Sequence, residues 1–311
     1  MQNQTSPLIL TFGVADPIGA VGVHADLGVF AALGCQGLAV TTALLIGDSA
    51  KVEDQQHVEP DWVADQARVV LEDAQVAAFK IGALDHMEHI SSIAEVVSDY
   101  PDAPLILDPF GSQLPPLGED TDFEELLTVL RQLLVPQATL LMLSQVELGH
   151  IAETWRDLSN GETMADDAQH LIDLGCEYVL VTGTPAGTSR AETGLRANTL
   201  YGDGGIVRHD RWQHLPGPFL GSGCTLSGAI AAYMAKGIEA PRAVQLAQQY
   251  THQALLHARR FGMGKLVPDH FHALHAPSVP LRDDPLAQPI GKQMTTQVSK
   301  PARTSTNRTK Q

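Results

Sequence analysis

The chain has 311 residues, of which 44% are hydrophobic, and 20 Lys and Arg against 36 Asp and Glu give a net charge of −16. No apolar run approaches the roughly 18 residues that cross a bilayer, and so negative a protein would repel a nucleic acid. Three cysteines and an N-terminal stretch without a basic and then apolar segment favour a soluble, cytoplasmic protein.

The charge is distributed unevenly along the chain. Five of the 20 Lys and Arg and no Asp or Glu follow residue 285, so residues 1–285 have a net charge of −21. The last residues are polar and rich in Ser, Thr and Gln, a composition that cannot offset the entropy lost on ordering. We therefore predict a folded domain at residues 1–277 and a disordered basic tail at residues 278–311.

Short apolar runs alternate with amphipathic stretches, which is the pattern of repeated β-α-β units around a mostly parallel sheet. Apolar runs bounded by turn residues predict buried strands at 8–14, 37–46, 77–83, 104–108, 139–143 and 178–182. Helical spacing of apolar residues predicts helices at 61–71, 123–134, 224–236 and 241–259. Asp203-Gly204-Gly205, between two β-like runs, predicts a hairpin.

A glycine-rich turn, GVADPIGAVG at residues 13–22, follows the first predicted strand and precedes a helix through Asp26 and Phe30. Glycines here permit close approach of the backbone to a ligand, although the spacing does not satisfy G-x-G-x-x-G. The signal is weak by itself, and a flexible strand-to-helix connection, shaped by Asp16 in its Asp-Pro turn, is the preferred explanation.

The stronger signal is Gly221-Ser222-Gly223-Cys224-Thr225, which opens a helix rich in small residues. Glycines at a helix N-terminus leave N–H groups unpaired beside the positive end of the helix dipole, which makes an anion site. The same field would lower the thiol pKa of Cys224 and make it a base or nucleophile, unless it is only a small buried apolar residue. The P-loop spacing and its lysine are absent.

Taken in order, these segments resemble the hydroxymethylpyrimidine/phosphomethylpyrimidine kinases of thiamine biosynthesis, a branch of the ribokinase-like kinases. The resemblance covers about residues 8–276 and rests on ADPIGAVGVHADLGVFAALG, VTTALLIGDS, FKIGAL, ILDP, GCEYVLVTG, LGSGCTLSGAIAA and GMGKLVPDHFHAL. It implies a three-layer α/β/α sandwich with one predominantly parallel sheet. It also implies a homodimer that transfers phosphate from ATP, with Mg²⁺, to a hydroxymethyl group and then to its monophosphate.

The resemblance assigns roles residue by residue. Gly221, Ser222 and Gly223 match an anion hole for the transferring phosphoryl group, and Cys224 matches the residue that would accept the substrate's hydroxyl proton. The matching metal-site residues are Asp108 and Glu147, and those on the nucleotide side are Thr182, Gly183 and Thr225. The matching substrate-site residues are Val21, Asp26, Gly47, Ala83 and Phe110.

Several of these positions depart from the family pattern. Gly47 stands where a Gln or Glu reads the aminopyrimidine edge, Ala83 replaces a Met and Val21 an Ala, while Asp48 or Gln113 are candidates to restore a substrate contact. Leu114 and Thr182 replace two lysines of the active site, and Ser144 replaces the Asn of an N-x-x-E motif. Losing two cations removes charge neutralisation on the order of several kcal/mol at a phosphoryl-transfer site.

These departures keep two alternatives open. One is a pyridoxal-type kinase, and the other is a catalytically weak relative that binds a pyrimidine or a nucleotide. His270, His272 and His275 resemble a metal cluster, but a similar family ending has no metal role, so packing is preferred. The three tryptophans, Trp62, Trp155 and Trp212, are also interpreted as packing residues.

Overall fold

The structure is a computed structural model, which describes residues 6–111, 123–156, 163–185 and 194–274. Its central element is one nine-stranded sheet. In chain order the strands are β1 (Leu8–Ala15), β2 (Gln36–Gly47), β3 (Val52–His57), β4 (Ala78–Ile81), β5 (Leu105–Leu107), β6 (Leu140–Ser144), β7 (Tyr178–Pro185), β8 (Leu195–Gly202) and β9 (Gly205–Gln213). Their order across the sheet is β3-β2-β1-β4-β5-β6-β7-β8-β9.

The six central strands, from β2 to β7, are parallel, and antiparallel strands flank them at both edges. β3 forms one edge, and the hairpin of β8 and β9 forms the other. Because the central strands run in one direction, their carboxyl ends share one edge of the sheet, where ligands bind in such folds.

Helices cover both faces of the sheet. They are α1 (Gly22–Ala32), α2 (Pro60–Asp73), α3 (Met87–Ser98), α4 (Phe123–Leu133), α5 (Gln145–Ala152), α6 (Met164–Asp173), α7 (Ser222–Ala235) and α8 (Ala240–Leu256). One apolar core joins the sheet to the five helices from α2 to α6, and a second core joins its other face to α1, α7 and α8. The predicted three-layer α/β/α sandwich with a mostly parallel sheet is confirmed.

The six predicted strands, the four predicted helices and the hairpin are all present, with shifted ends. α7 begins two residues earlier than predicted, and α8 ends at Leu256 because the chain then turns for Arg259 to pair with Val267. The polar strand β3 was not predicted, since its sequence VEDQQH lacks the apolar run of a buried strand.

Two further sequence predictions concern the basic tail and the lack of a membrane-spanning segment. Residues 275–311 lie outside the described part of the chain, so the division into a domain and a tail stays a prediction. In the described ranges, no helix is long and apolar enough to cross a membrane.

Candidate active site

The turn that opens α7 is pressed against the turn between β1 and α1. Gly221 is the N-cap of α7 with a φ of +85°, and a Cβ at this position would lie 1.7 Å from the carbonyl oxygen of Ala20. A glycine N-cap has no side chain with which to satisfy the first N–H groups of the helix. The backbone amides at residues 222–224 are therefore candidates to bind an anion, and the anion site stays a prediction.

The first glycine-rich turn is shaped by the carboxylate of Asp16. This carboxylate accepts backbone N–H bonds from Ile18 at 3.0 Å, Ala20 at 2.9 Å and Val21 at 3.1 Å. The turn ends at Gly22, whose φ of +61° and close approach to the carbonyl of Val14 leave no room for a side chain. Asp16 is thus a turn residue, and the turn it holds supports Gly221.

Cys224 lies in the first turn of α7, where Gly22 donates its backbone N–H to the thiol sulfur. Burial raises the pKa of the Cys224 thiol to about 12; Lys80 lowers it, while Asp108 and Asp26 raise it further. The predicted lowering of this pKa is therefore wrong, because desolvation and two nearby acids outweigh the helix N-terminus. At neutral pH the group is a protonated thiol.

We expect Cys224 to behave as an unreactive thiol in the protein without ligands. With a pKa of about 12, roughly one thiol in 10⁵ is ionised at pH 7, so alkylation by iodoacetamide should be slow and rise about tenfold per pH unit. The rate is measured with Cys35 and Cys176 replaced by Ala, so that only Cys224 reacts. A plateau of the rate near pH 7 would contradict the raised pKa.

Cys224→Ser is expected to keep at least about a tenth of the turnover.

A buried ion pair, which the sequence analysis missed, lies beneath this turn. The Nζ of Lys80 on β4 donates to Oδ2 of Asp26 on α1 at 2.9 Å, and Thr11 donates to the same oxygen at 2.7 Å. Burial by itself lowers the pKa of Lys80, but the charges of Asp26, Cys224 and Asp108 together raise it above its ordinary value. Lys80 is therefore a fixed cation close to the thiol and to Asp108.

Asp26, predicted as a substrate contact, has no exposed surface with which to touch a ligand. Its second oxygen, Oδ1, has no hydrogen-bond partner and faces Gly228 of α7, where a Cβ would lie 3.3 Å from it. In this arrangement the carboxylate holds Lys80 in place. Asp26 thus acts on the site through Lys80 and not by direct contact.

Two carboxylates, Asp108 and Glu147, follow the neighbouring strands β5 and β6. Asp108 accepts a hydrogen bond from Ser227 at 2.7 Å, and burial raises its pKa to about 6 while Lys80 opposes the rise. Glu147 accepts the backbone N–H of Ser144 at 2.6 Å in a capping box that begins α5. Ser144 therefore caps this helix in the position where the family pattern has Asn.

The carboxylates of Asp108 and Glu147 suit a metal cation that needs few protein ligands. Their charges interact, since Glu147 contributes to raising the pKa of Asp108. Among the described residues, one oxygen of each carboxylate receives a protein hydrogen bond, which leaves the other for water or a metal ion. No group of three or more metal-binding side chains was found among the described residues, but Mg²⁺ takes one or two carboxylates together with water and phosphate.

The predicted substrate positions lie at the carboxyl ends of β1, β2, β4 and β5. Val21 packs against a buried cluster of three apolar side chains, Val14, Ala43 and Leu45. Ala83 and Phe110 are on adjacent segments, because Leu84 donates its N–H to the carbonyl of Pro109 at 2.9 Å. These residues are therefore brought to one edge of the sheet.

The backbone itself excludes a side chain at Gly47. A Cβ there would lie 2.8 Å from the carbonyl oxygen of Lys51 and 2.9 Å from the Cα of Val52, on the turn between β2 and β3. Asp48 caps this turn by accepting the N–H groups of Ala50 and Lys51, so it is occupied structurally. The other candidate contact, Gln113, and the substituted position Leu114 lie outside the described residues.

A cavity of about 970 Å³ lies between the β8-β9 hairpin and α8 and reaches Ser222 and Gly223. Because two residues predicted on the nucleotide side line it, it is named the nucleotide cavity. Thr182 and Gly183 line it at an irregularity of β7, where Gly183 has a φ of +71° and donates its N–H to Asn198 at 2.9 Å. Thr225, in contrast, is fully buried and donates its hydroxyl to the carbonyl of Gly221 at 2.8 Å. Thr225 supports the turn and does not line the cavity.

A parallel-dominated α/β/α sandwich, in which an uncapped helix N-terminus lies beside a cavity at the carboxyl ends of the strands, is the architecture of the ribokinase-like class of small-molecule kinases. The family model described as phosphomethylpyrimidine kinase matches residues 16–269, and the chain belongs to this family of phosphotransferases. Hydroxymethylpyrimidine/phosphomethylpyrimidine kinase of Escherichia coli K12 is 29% identical over 85% of this chain and 97% of that protein. The Streptomyces coelicolor enzyme of the same name is 30% identical over 87% and 96%.

Solved structures share the fold. A phosphomethylpyrimidine kinase from Clostridium difficile superposes with a TM-score of 0.64 and 26% identity, over 80% of this chain and 99% of that one. Pyridoxal kinase of Staphylococcus aureus, in complex with AMP-PCP and pyridoxal, superposes with a TM-score of 0.74 and 21% identity, over 88% and 96%. The second match supports the architecture alone.

Proposed function

We propose that this protein transfers phosphate from ATP to 4-amino-5-hydroxymethyl-2-methylpyrimidine and then to the resulting monophosphate. The observation that carries the proposal is the uncapped N-terminus of α7, fixed by the contact of Gly221 with Ala20. This anion site adjoins both the nucleotide cavity and the predicted substrate positions. Its amides suit the charge that develops on a transferring phosphoryl group.

The residues divide the chemistry between positioning and charge. In a largely dissociative transfer the proton of the substrate hydroxyl leaves late, so a protonated Cys224 can orient the hydroxyl without being its base. Mg²⁺, held through Asp108 and Glu147, would neutralise the phosphates of ATP when bound. Most of the rate acceleration then comes from the amides of the turn and from alignment of the two substrates.

Pyridoxal is the second candidate substrate, and Gly47 is the observation that favours it. A glycine whose backbone contacts exclude any side chain cannot supply the Gln or Glu that would read an aminopyrimidine. The names of the E. coli and S. coelicolor relatives favour the pyrimidine. We also propose that the enzyme acts in the cytoplasm and forms a homodimer, as the family resemblance implies. Light scattering of the purified protein would test the homodimer.

An ATP-consumption assay tests the function directly. The purified protein is given hydroxymethylpyrimidine, its monophosphate or pyridoxal, and we expect the first two to be phosphorylated with a kcat/KM at least about tenfold above that of pyridoxal. Asp108→Asn, prepared in the same way, is the control for contaminating kinases and is expected to lose at least about 100-fold in rate. A higher kcat/KM with pyridoxal would reverse the order of the candidates, and no turnover with any of the three would refute the proposal.

A further inference from the structure

The nucleotide cavity carries positive charge in an otherwise acidic protein. Arg196 of β8 and Arg211 of β9 line it, and Asp210 is the one carboxylate among the described residues of its wall. Asp210 is already neutralised, because it accepts hydrogen bonds from Arg208 and, at 2.8 Å, from Gln248. The wall therefore suits an anionic ligand.

Strand register places Arg196 opposite Pro185, two residues beyond the turn that carries Thr182 and Gly183. Arg196 pairs with Pro185 of β7 on one side and with Trp212 of β9 on the other. Asn198, two residues further along β8 and on the same face, accepts the N–H of Gly183. Two residues of a strand span about 7 Å, so the Arg196 side chain is within reach of this turn.

The guanidinium of Arg196 has donors to spare. Within the described residues its one hydrogen bond goes to the carbonyl of Leu195 at 3.2 Å, whereas a guanidinium has five N–H donors. A planar fork of this kind binds a phosphate through two parallel hydrogen bonds. Arg211 also lines the cavity but is placed differently. It pairs with Ala197, so its position is on the opposite face of the hairpin from Arg196, and it donates to His209 at 3.2 Å.

We propose that Arg196 binds the phosphates of the nucleotide and supplies the positive charge that Thr182 lacks. The inference rests on the proposed use of ATP and names the residue that holds it. It assigns the cation to β8, at a position that pairs with Pro185, three residues along β7 from Thr182, where the family pattern has lysine.

Binding of ADP and of adenosine, measured by calorimetry, tests the proposal without any need for turnover. Arg196→Gln is expected to weaken ADP binding by about 10- to 100-fold and to change adenosine binding by less than about threefold, because only ADP carries phosphates. Arg196→Lys should recover part of the affinity for ADP, since it keeps the charge and loses the fork. Higher salt should weaken ADP binding more in the natural protein than in Arg196→Gln.

Arg211→Gln is the matched control, because it removes the same charge from the next strand of the same hairpin. ADP binding within about threefold of the natural protein in Arg196→Gln, a larger loss in Arg211→Gln, or equal losses for ADP and adenosine would each overturn the assignment. If Arg196→Gln does not fold, the Arg196→Lys variant is measured in its place. If it binds ADP as tightly as the natural protein does, the two parallel hydrogen bonds from the guanidinium to phosphate are contradicted. A protein that binds ADP through Arg196 and phosphorylates no pyrimidine would refute the proposed function alone.

Discussion

Gly221→Ala is expected to lose at least about 100-fold in turnover and about 3 kcal/mol or more in the free energy of unfolding. An L-residue pays about 1–2 kcal/mol for a left-handed backbone, and the φ of Gly221 is +85°. The added Cβ would also lie 1.7 Å from the carbonyl oxygen of Ala20, so one of the two turns must move. Moving either turn displaces the amides that form the anion site.

Gly223→Ala is the matched control, since it adds the same methyl group two residues later. Gly223 has no positive φ, and the nearest atom to its Cβ would be Cε of Met142, at an ordinary contact distance of 3.8 Å. Its Tm should stay the same or rise slightly, because Ala stabilises a helix relative to Gly, although the methyl group enters the cavity and lowers turnover. Gly221→Ala should melt about 6–12 °C lower. Equal Tm values for the two variants would contradict the contact with Ala20.

The anion site could be predicted from sequence because all of its determinants are local. Glycines, small residues and a helix start lie within one short segment, and the helix dipole acts on the same segment. The sequence predicts the shift in the thiol pKa of Cys224 with the wrong sign because the groups that raise this pKa are distant along the chain. Burial of the thiol, and its approach to Asp108 and Asp26, arise only after the sheet and α7 have packed together.

The ion pair of Lys80 and Asp26 carried one sequence signal that could have revealed it. Lys80 interrupts an otherwise apolar strand in FKIGAL, and a charged residue inside a buried strand requires a partner. Which acid pairs with it could not be predicted, since the partner lies 54 residues away on a helix of an adjacent layer. Similarly, the turn that excludes a side chain at Gly47 depends on β3, an edge strand whose polar sequence gives little sign of its pairing.

Lys80→Met is expected to destabilise the protein by about 3–5 kcal/mol at pH 8, the cost of leaving one member of a buried ion pair without its partner. Asp26 would retain only the hydrogen bond from Thr11, and its Oδ1 has no partner even in the natural protein. Combining Lys80→Met with Asp26→Asn removes both charges and should restore at least half of the lost stability. Turnover should stay low in the double variant, because the fixed cation beside Cys224 and Asp108 is gone.

The pH dependence of Lys80→Met distinguishes a charge effect from lost packing. Burial raises the pKa of Asp26 above its ordinary value of 3.8, and removal of Lys80 raises it further. Between the pKa of Asp26 in the unfolded state and its higher pKa in the folded state, the folded protein binds a proton that the unfolded protein does not. The contribution of Asp26 to stability is therefore greatest at low pH and falls as pH rises through the folded pKa. The deficit relative to the natural protein, measured by urea unfolding, should therefore be smaller at pH 5.5 than at pH 8. An equal deficit at both values would show that Lys80 acts through its methylene chain and not through its charge.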